Sequence, residues 1–385
     1  MIARCFLVFT ILIGNVAFAE SVITKEKDII VYRNESFYSA FPSIVRRDSG
    51  ELIVAFRRAP DRRVFGEGGS NHTDPNSYLV LVRSQDNGET WTTESELILA
   101  HPFGGSQDPC MTQLNDGAIV CSSYGWARVS DKAKVKFPDS LRHDNFVFMG
   151  GYMVRSEDGG KTWGDLIVPP PVPGSVTDNV FGDPAPAYNR GAMVQGENGR
   201  LYWAVASQPK LAPRRAETHL MISDDGGKTW EYSCPIASDE KASFNETSLT
   251  ITPKGDIVAF MRTADFGDLT VVARSTDDGK SFEPWEAAGW QGHPHYALRL
   301  PDERVLLIYG YRHEPFGIRA RVLNAECTDF KTAPEMILRD DGTGSDLGYP
   351  WATMTADGKI LVTYYFHDDT GNRHIAGTFL NISSD

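Results

Sequence analysis

Three observations predict an all-β chain folded as a six-bladed β-propeller: one turn motif recurs four times, a second series of hairpin turns alternates with it, and long amphipathic helices are missing. The recurring motif is Ser84-Gln-Asp-Asn-Gly-Glu-Thr-Trp91, Ser156-Glu-Asp-Gly-Gly-Lys-Thr-Trp163, Ser223-Asp-Asp-Gly-Gly-Lys-Thr-Trp230 and Ser275-Thr-Asp-Asp-Gly-Lys-Ser-Phe282. Its aspartates, Asp86, Asp158, Asp225 and Asp277, are spaced by 72, 67 and 52 residues. Those intervals are too long for a 40-residue repeat but suit four strands with their loops.

Each copy follows a short β-prone run such as Tyr78-Leu-Val-Leu-Val82 or Leu269-Thr-Val-Val-Ala273, so it reads as a turn at a strand end. Ser and Asp bond nearby backbone groups, Gly takes a positive φ, and the terminal aromatic buries a large surface. Such a turn needs no ligand, and the repeats read as scaffold. The second series comprises Arg47-Asp-Ser-Gly50, Asn115-Asp-Gly117, Glu197-Asn-Gly199, Pro253-Lys-Gly255, Pro301-Asp-Glu303 and Asp357-Gly358, each followed by an apolar run such as Glu51-Leu-Ile-Val-Ala-Phe56. Six such hairpins imply six four-stranded blades of about 60 residues, with radial closure leaving only short protected edges. A seventh blade is the main alternative; two stacked sandwiches leave the regular tips unexplained. The proline-rich segment at residues 169–173 is the one sizeable irregular stretch.

Ahead of this array, Arg4, the apolar residues 6–13 and Ala17-Phe18-Ala19 have the form of a cleavable export signal ending before Glu20. The expectation is a signal peptide at 1–19, one propeller domain at 20–385, and a secreted or periplasmic protein without a membrane span once processed. A formal net charge of -13 argues against nucleic-acid binding, so arginines must capture any anionic ligand locally. Cys110, Cys121, Cys234 and Cys327 remain after cleavage. The first two flank a hairpin turn and are candidates for a disulfide, with four free thiols as the alternative. No metal-type spacing appears, and no cofactor is indicated.

The four tips resemble the Asp-box (BNR) repeats of the sialidase superfamily, and the resemblance extends from about Tyr38 to the end of the chain. It implies a central site with three arginines, a tyrosine nucleophile paired with a glutamate, and an aspartate acid/base on a loop. Asn245-Glu246 and Met261-Arg262, with Glu246 and Arg262 sixteen residues apart, resemble the glutamate-to-second-arginine block. Gly348-Tyr349-Pro350 resembles the nucleophile block, and Arg312 in Tyr309-Gly-Tyr-Arg312 falls where the third arginine is expected. The first arginine is missing, because Ala40 in Ala40-Phe-Pro-Ser-Ile44 occupies its place. Alanine offers nothing to a carboxylate that a guanidinium grips through paired charge-assisted bonds, so Arg57, Arg58, Arg46 and Arg47 are candidates to replace it.

The resemblance places the acid/base on the loop at residues 57–75, where Asp74 is favoured over Asp61 and glycines permit closure. His72 and His295 are candidate substrate contacts; His143, His293, His313 and His367 occupy loops or strand ends as well. Trp126, Trp203, Trp290 and Trp351 suit either sugar stacking or blade packing. The resulting expectation is an exo-acting glycosidase on acidic oligosaccharides or glycoconjugates. Here Arg262 and Arg312 orient a carboxylate, Glu246 activates Tyr349, and Asp74 protonates the leaving oxygen. The alternatives are a lyase or glycosidase on rhamnose-glucuronate linkages, with His72 or His295 as base, and a non-catalytic carbohydrate-binding propeller.

Overall fold

A computed structural model describes residues 22–66, 74–128, 142–143, 146–210, 213 and 215–383. Six antiparallel sheets surround a central axis. Blade 1, from the axis outward, comprises Phe37–Arg46, Leu52–Pro60, Tyr78–Ser84 and Glu96–Leu99. Blade 3 comprises Val194–Gln195, Leu201–Ser207, Glu217–Ser223 and Glu231–Ala237; blade 4, Ser243–Ile251, Ile257–Ala264, Leu269–Ser275 and Glu286–Gln291; blade 5, His295–Arg299, Val305–Tyr311, Phe316–Leu323 and Glu335–Gly342. Blade 6 begins with Gly348–Met354, Ile360–His367 and Arg373–Ser383, and Val22–Tyr32 completes it by pairing antiparallel with Arg373–Ser383. The two ends of the described chain therefore close the ring, and six blades suffice.

Blade 2 departs from the pattern. Its inner edge is broken into Gly105–Ser106 and Cys110–Gln113, both paired with Ile119–Arg128, and Phe146–Ser156 and Arg142–His143 follow outward. Residues 107–109 between the two inner pieces are thereby released from the ladder. The long connection from blade 2 to blade 3 includes the proline-rich segment but extends well beyond it, over residues 164–193.

The four repeated motifs follow the third strand of blades 1 to 4, starting from Ser84, Ser156, Ser223 and Ser275; in blades 1, 3 and 4 they lead into the fourth strand, and in blade 2 to a single bridge between Ile167 and Met153. In the second copy, Asp158 Oδ1 accepts from the backbone N–H of Lys161 at 3.0 Å and of Thr162 at 2.9 Å, while Oδ2 accepts from the Thr162 hydroxyl at 2.6 Å. Ser156 Oγ accepts the Gly160 N–H at 2.7 Å. The first turn position takes a positive φ in every copy, at Asn87, Gly159, Gly226 and Asp278. The aspartates are spent on their own turns.

The turns also couple neighbouring blades. Arg83 of blade 1 donates to the carbonyls of Gly159 and Gly160 at 3.0 and 2.9 Å. Arg155 of blade 2 donates to Gly226 at 3.2 Å, and Ser233 of blade 3 to Gly279 at 2.7 Å. Trp230, closing the third copy, is buried against Trp203 at 5.4 Å between ring centroids. Because third strands run antiparallel to second strands, all four motifs lie at the end of the propeller opposite the loops that follow the second strands.

The second series of turns joins the first strand to the second. Gly50, Gly117, Gly199, Gly255 and Gly358 have φ between 84 and 89°, and Glu303 takes the corresponding position at 68°. Cys110 and Cys121 do not form the disulfide considered above: all four described cysteines are free and buried. Cys110 pairs with Ser122 and Met111 with Cys121, so the two thiols emerge on opposite faces of the sheet.

Replacing Trp230 by alanine is expected to cost about 3–5 kcal/mol in urea unfolding, since the ring spans a blade interface. The motif aspartates are held below the ordinary carboxylate range by their hydroxyl and backbone donors, Asp277 at about 2. Because the folded values are depressed, this stabilisation is complete above about pH 4 and is lost as pH falls through the folded values. Thermal melts should therefore fall on acidification through that window, and Asp277→Asn should flatten the slope.

Candidate active site

Three inner strands share one irregularity near their first residues. Pairing with the neighbouring strand jumps between Ala40 and Ser43 in blade 1, Asn245 and Ser248 in blade 4, and Gly348 and Trp351 in blade 6. Inside each jump a non-glycine residue has positive φ: Phe41 at 58°, Glu246 at 37° and Tyr349 at 54°. Such a bulge re-aims its side chain, and the strained conformation costs roughly 1–3 kcal/mol unless its surroundings enforce it. Here the bulges turn Glu246 and Tyr349 toward each other from separate blades.

The Tyr349 hydroxyl donates to Glu246 Oε1 at 2.5 Å. Arg262 Nη1 donates to Glu246 Oε2 at 2.5 Å and lies 3.4 Å from the Tyr349 oxygen. Arg312 donates through Nε to the Leu347 carbonyl at 3.0 Å and through Nη2 to the Tyr365 hydroxyl at 2.8 Å, and its guanidinium is 5.1 Å from the Tyr349 ring centre. Phe41 meets the rings of Tyr349 and Tyr365 edge-on at 4.7 and 5.0 Å.

Burial works against the charge on Glu246, but Arg262 and the Tyr349 hydroxyl outweigh it and hold the carboxyl at about 2. Burial and the adjacent Glu246 charge push the Tyr349 phenol well above its ordinary value, with Arg262 and Arg312 opposing. The resting pair is thus an ionised carboxylate accepting from a neutral phenol, with the proton already directed along the path a general base needs. Beside it, His293 is pushed down to about 2, first by burial and then by Arg262 and Arg312, and so remains neutral.

The other sequence candidates divide. Arg57 stands directly opposite Ala40 in the ladder, but it is fully buried, with its guanidinium 5.4 Å from the Tyr38 ring and 5.9 Å from the Phe41 ring. Arg58 points to the other face of its strand, where it donates to Tyr78, Tyr32 and Ser95, so the structure does not bring it to the site. Arg46 and Arg47 end the inner strand at the opposite end of the propeller and are equally remote. His295 is buried and shares a hydrogen bond with Thr270 Oγ1 at 2.8 Å; burial lowers it to about 3, which leaves its imidazole as an interior group. His72 lies outside the described residues, as does the side chain of His143.

Both acid/base candidates are buried and held by arginines. Arg62 donates to Asp74 through Nε at 2.6 Å and Nη2 at 3.0 Å, and the Asn76 N–H adds a bond at 2.8 Å. Asp61 is engaged by Arg63 through Nε and Nη2, which lowers its carboxyl. Arg63 also donates to the Thr370 carbonyl at 2.9 Å, tying this loop to blade 6. Of the tryptophans, Trp203 and Trp351 are buried, Trp290 stacks on Tyr309 at 4.7 Å, and Trp126 stays partly exposed within a row that includes Tyr124, Phe148 and Tyr188. Among the described residues no group of three or more His, Cys, Asp or Glu side chains is placed to hold a metal ion, and no helix is long and apolar enough to cross a membrane.

Two residues at the axis escaped the sequence reading. Asp108, in the released segment of blade 2, is buried and accepts from the Tyr124 hydroxyl at 3.0 Å. Arg190, from the loop entering blade 3, is buried and donates through Nη2 to the carbonyls of Pro42 at 3.1 Å and Tyr349 at 3.2 Å, and through Nη1 to Cys110 Sγ at 3.3 Å. A signal was available: Phe41, Asp108, His293 and Tyr349 each immediately precede a proline at the entrance to an inner strand. Arg190 lacks even that mark.

A β-propeller with this central cluster belongs with the sialidase-type propellers, and the comparisons agree. The BNR repeat-like domain matches residues 145–362, more than half of the sequence, and the chain belongs to that family. A solved protein of unknown function from Dyadobacter fermentans is 56% identical, with a TM-score of 0.91 over 94% of this chain and 99% of that one. NanB sialidase from Streptococcus pneumoniae is 14% identical, with a TM-score of 0.63 over 92% of this chain and 70% of that one. Trypanosoma rangeli sialidase, solved with sialic acid, is 15% identical, with a TM-score of 0.60 over 95% of this chain and 58% of that one. Among curated proteins none matches.

Arg190→Ala should lose about 3–5 kcal/mol of stability in urea unfolding, because two carbonyls from different blades are left without their buried charged donor.

Proposed function

We propose that this protein is an exported exo-glycosidase acting on the terminal acidic sugar of a glycan or glycoconjugate. The observation that carries the proposal is the triangle of Tyr349, Glu246 and Arg262. A carboxylate nucleophile is repelled by an anionic sugar, whereas a neutral phenol is not and becomes nucleophilic once a neighbouring carboxylate takes its proton. Glu246 is placed and ionised for that transfer.

In the proposed reaction, Arg262 and Arg312 seat the sugar carboxylate. Tyr349 Oη attacks the anomeric carbon as its proton passes to Glu246, and the bond to the leaving oxygen breaks. Asp74, released from Arg62 and carrying a proton taken up from solvent, protonates that oxygen. Water, deprotonated by the same aspartate, then attacks the anomeric carbon as the glycosyl-tyrosine bond breaks, Glu246 returns its proton to the Tyr349 oxygen, and the configuration is retained. The missing cation at Ala40 bears on substrate range, since one lost carboxylate clamp costs roughly 2–5 kcal/mol if the anion stays desolvated.

Sialosides and rhamnose-glucuronate oligosaccharides, incubated in parallel with the protein, test the reading. Release of a free acidic sugar supports it, an unsaturated uronate absorbance would replace it with a lyase, and binding without turnover would make the protein a carbohydrate-binding module. Tyr349→Phe should reduce turnover by about 100-fold or more with little change in the thermal melt; unchanged turnover removes the phenol from the mechanism. Asp74→Asn should slow natural glycosides far more than activated aryl glycosides, whose leaving groups need no proton. If Asp61→Asn shows that pattern instead, the acid/base role moves to Asp61.

A further inference from the structure

The geometry points to Arg373 as the third carboxylate-anchoring cation, supplied by blade 6 in place of the one absent at Ala40. This rests on the reading that the mouth binds an acidic sugar. Tyr38 and Ala40 lie on the same face of the inner strand of blade 1, two residues apart. Two guanidiniums flank the Tyr38 ring, Arg57 at 5.4 Å and Arg373 at 6.0 Å. Arg57 is sealed from solvent, whereas the Arg373 side chain is 22% exposed. Only the second is open to a ligand.

Arg373 begins the third strand of blade 6, at the same end of the propeller as Glu246, Arg262, Arg312 and Tyr349. Its Nε donates to Asp346 Oδ2 at 3.0 Å and its Nη1 to the Gly371 carbonyl at 2.6 Å, while Nη2 has no hydrogen-bond partner among the described residues. Asp346 Oδ1 also accepts from the Tyr365 hydroxyl at 2.8 Å, and that hydroxyl accepts from Arg312 Nη2 at 2.8 Å. The Tyr38 hydroxyl donates to the same carboxylate at 3.2 Å. Arg312 and Arg373 are thus joined through Tyr365 and Asp346, which fix one cation relative to the other. On this assignment, a carboxylate held by Arg262 and Arg312 lies against the Nη2 edge of Arg373, on the blade 6 side. Arg373 serves as a specificity-determining residue for the charge of the sugar.

Calorimetric titration separates this assignment from the reading beneath it. The probes are N-acetylneuraminate, glucuronate and the methyl ester of each, and the proteins are wild type, Arg373→Met and Arg373→Lys. The wild-type protein should prefer at least one acid to its ester. Arg373→Met should weaken that acid by about 10- to 100-fold with its ester unchanged, and Arg373→Lys should restore part of the preference. Acid affinity in Arg373→Met within twofold of wild type overturns the role of Arg373 and leaves the acidic-sugar reading standing. Equal losses for acid and ester also overturn it, because they indicate a structural role. If Arg373→Met does not fold, Arg373→Lys decides: it keeps the charge but loses the planar fork, and an undiminished acid-to-ester ratio overturns the assignment. No preference for either acid in the wild-type protein overturns the acidic-sugar reading together with this inference.

Discussion

One buried guanidinium holds the centre of this propeller together. Arg190 enters from blade 3 and bonds backbone carbonyls of blades 1 and 6 and a thiol of blade 2. Inner strands of a propeller diverge in direction and cannot hydrogen-bond to one another as a continuous sheet, so their first residues need another source of order. A planar donor with several N–H groups supplies it at one point. The Tyr349 carbonyl is one of its acceptors and the Tyr349 ring lies 5.3 Å from its guanidinium, so the proposed nucleophile is fixed by the group that ties the blades.

The rest of the site follows from this fixation. The strained backbone at Glu246 and Tyr349 is tolerable because neighbouring blades hold both residues, and the strain directs two polar side chains into one contact rather than along their own sheets. Around the phenol, Arg262 and Arg312 oppose the two influences that keep it protonated, burial and the Glu246 charge. Binding an anion between those arginines would partly neutralise them. In the proposed reaction, proton transfer to Glu246 and seating of the substrate are therefore electrostatically linked.

The two ends of the propeller carry different duties. The Asp-box end is made of turns whose polar groups satisfy one another and whose carbonyls are gripped by the preceding blade, so it transmits little beyond stability. The mouth is built from inner-strand entrances and from the loops after second strands, where backbone groups are freed from ladders. The residue at Ala40 and the tyrosine at 365 belong to this end, and their combination with Arg373 and Asp346 gives the mouth a distribution of charge that the number of arginines does not reveal.

The sequence by itself determined the all-β class, the Asp-box turns and the six inner hairpins, because each depends on local chemistry or on a short pattern kept within a few residues; the meeting of Glu246, Arg262, Arg312 and Tyr349 was implied by the resemblance of their blocks to the sialidase superfamily and is made by contacts between blades. It left open six blades against seven, since ring closure depends on Val22–Tyr32 finding Arg373–Ser383 across the whole chain. Tertiary structure alone decided that Arg57 faces inward yet is sealed, that Arg58 faces away, and that Cys110 and Cys121 emerge on opposite faces. It alone brought Arg190 and Asp108 to the axis and set Arg373 beside the Tyr38 ring. Those residues meet through contacts between blades, where distance in space is unrelated to distance along the chain, and no local pattern records such a meeting.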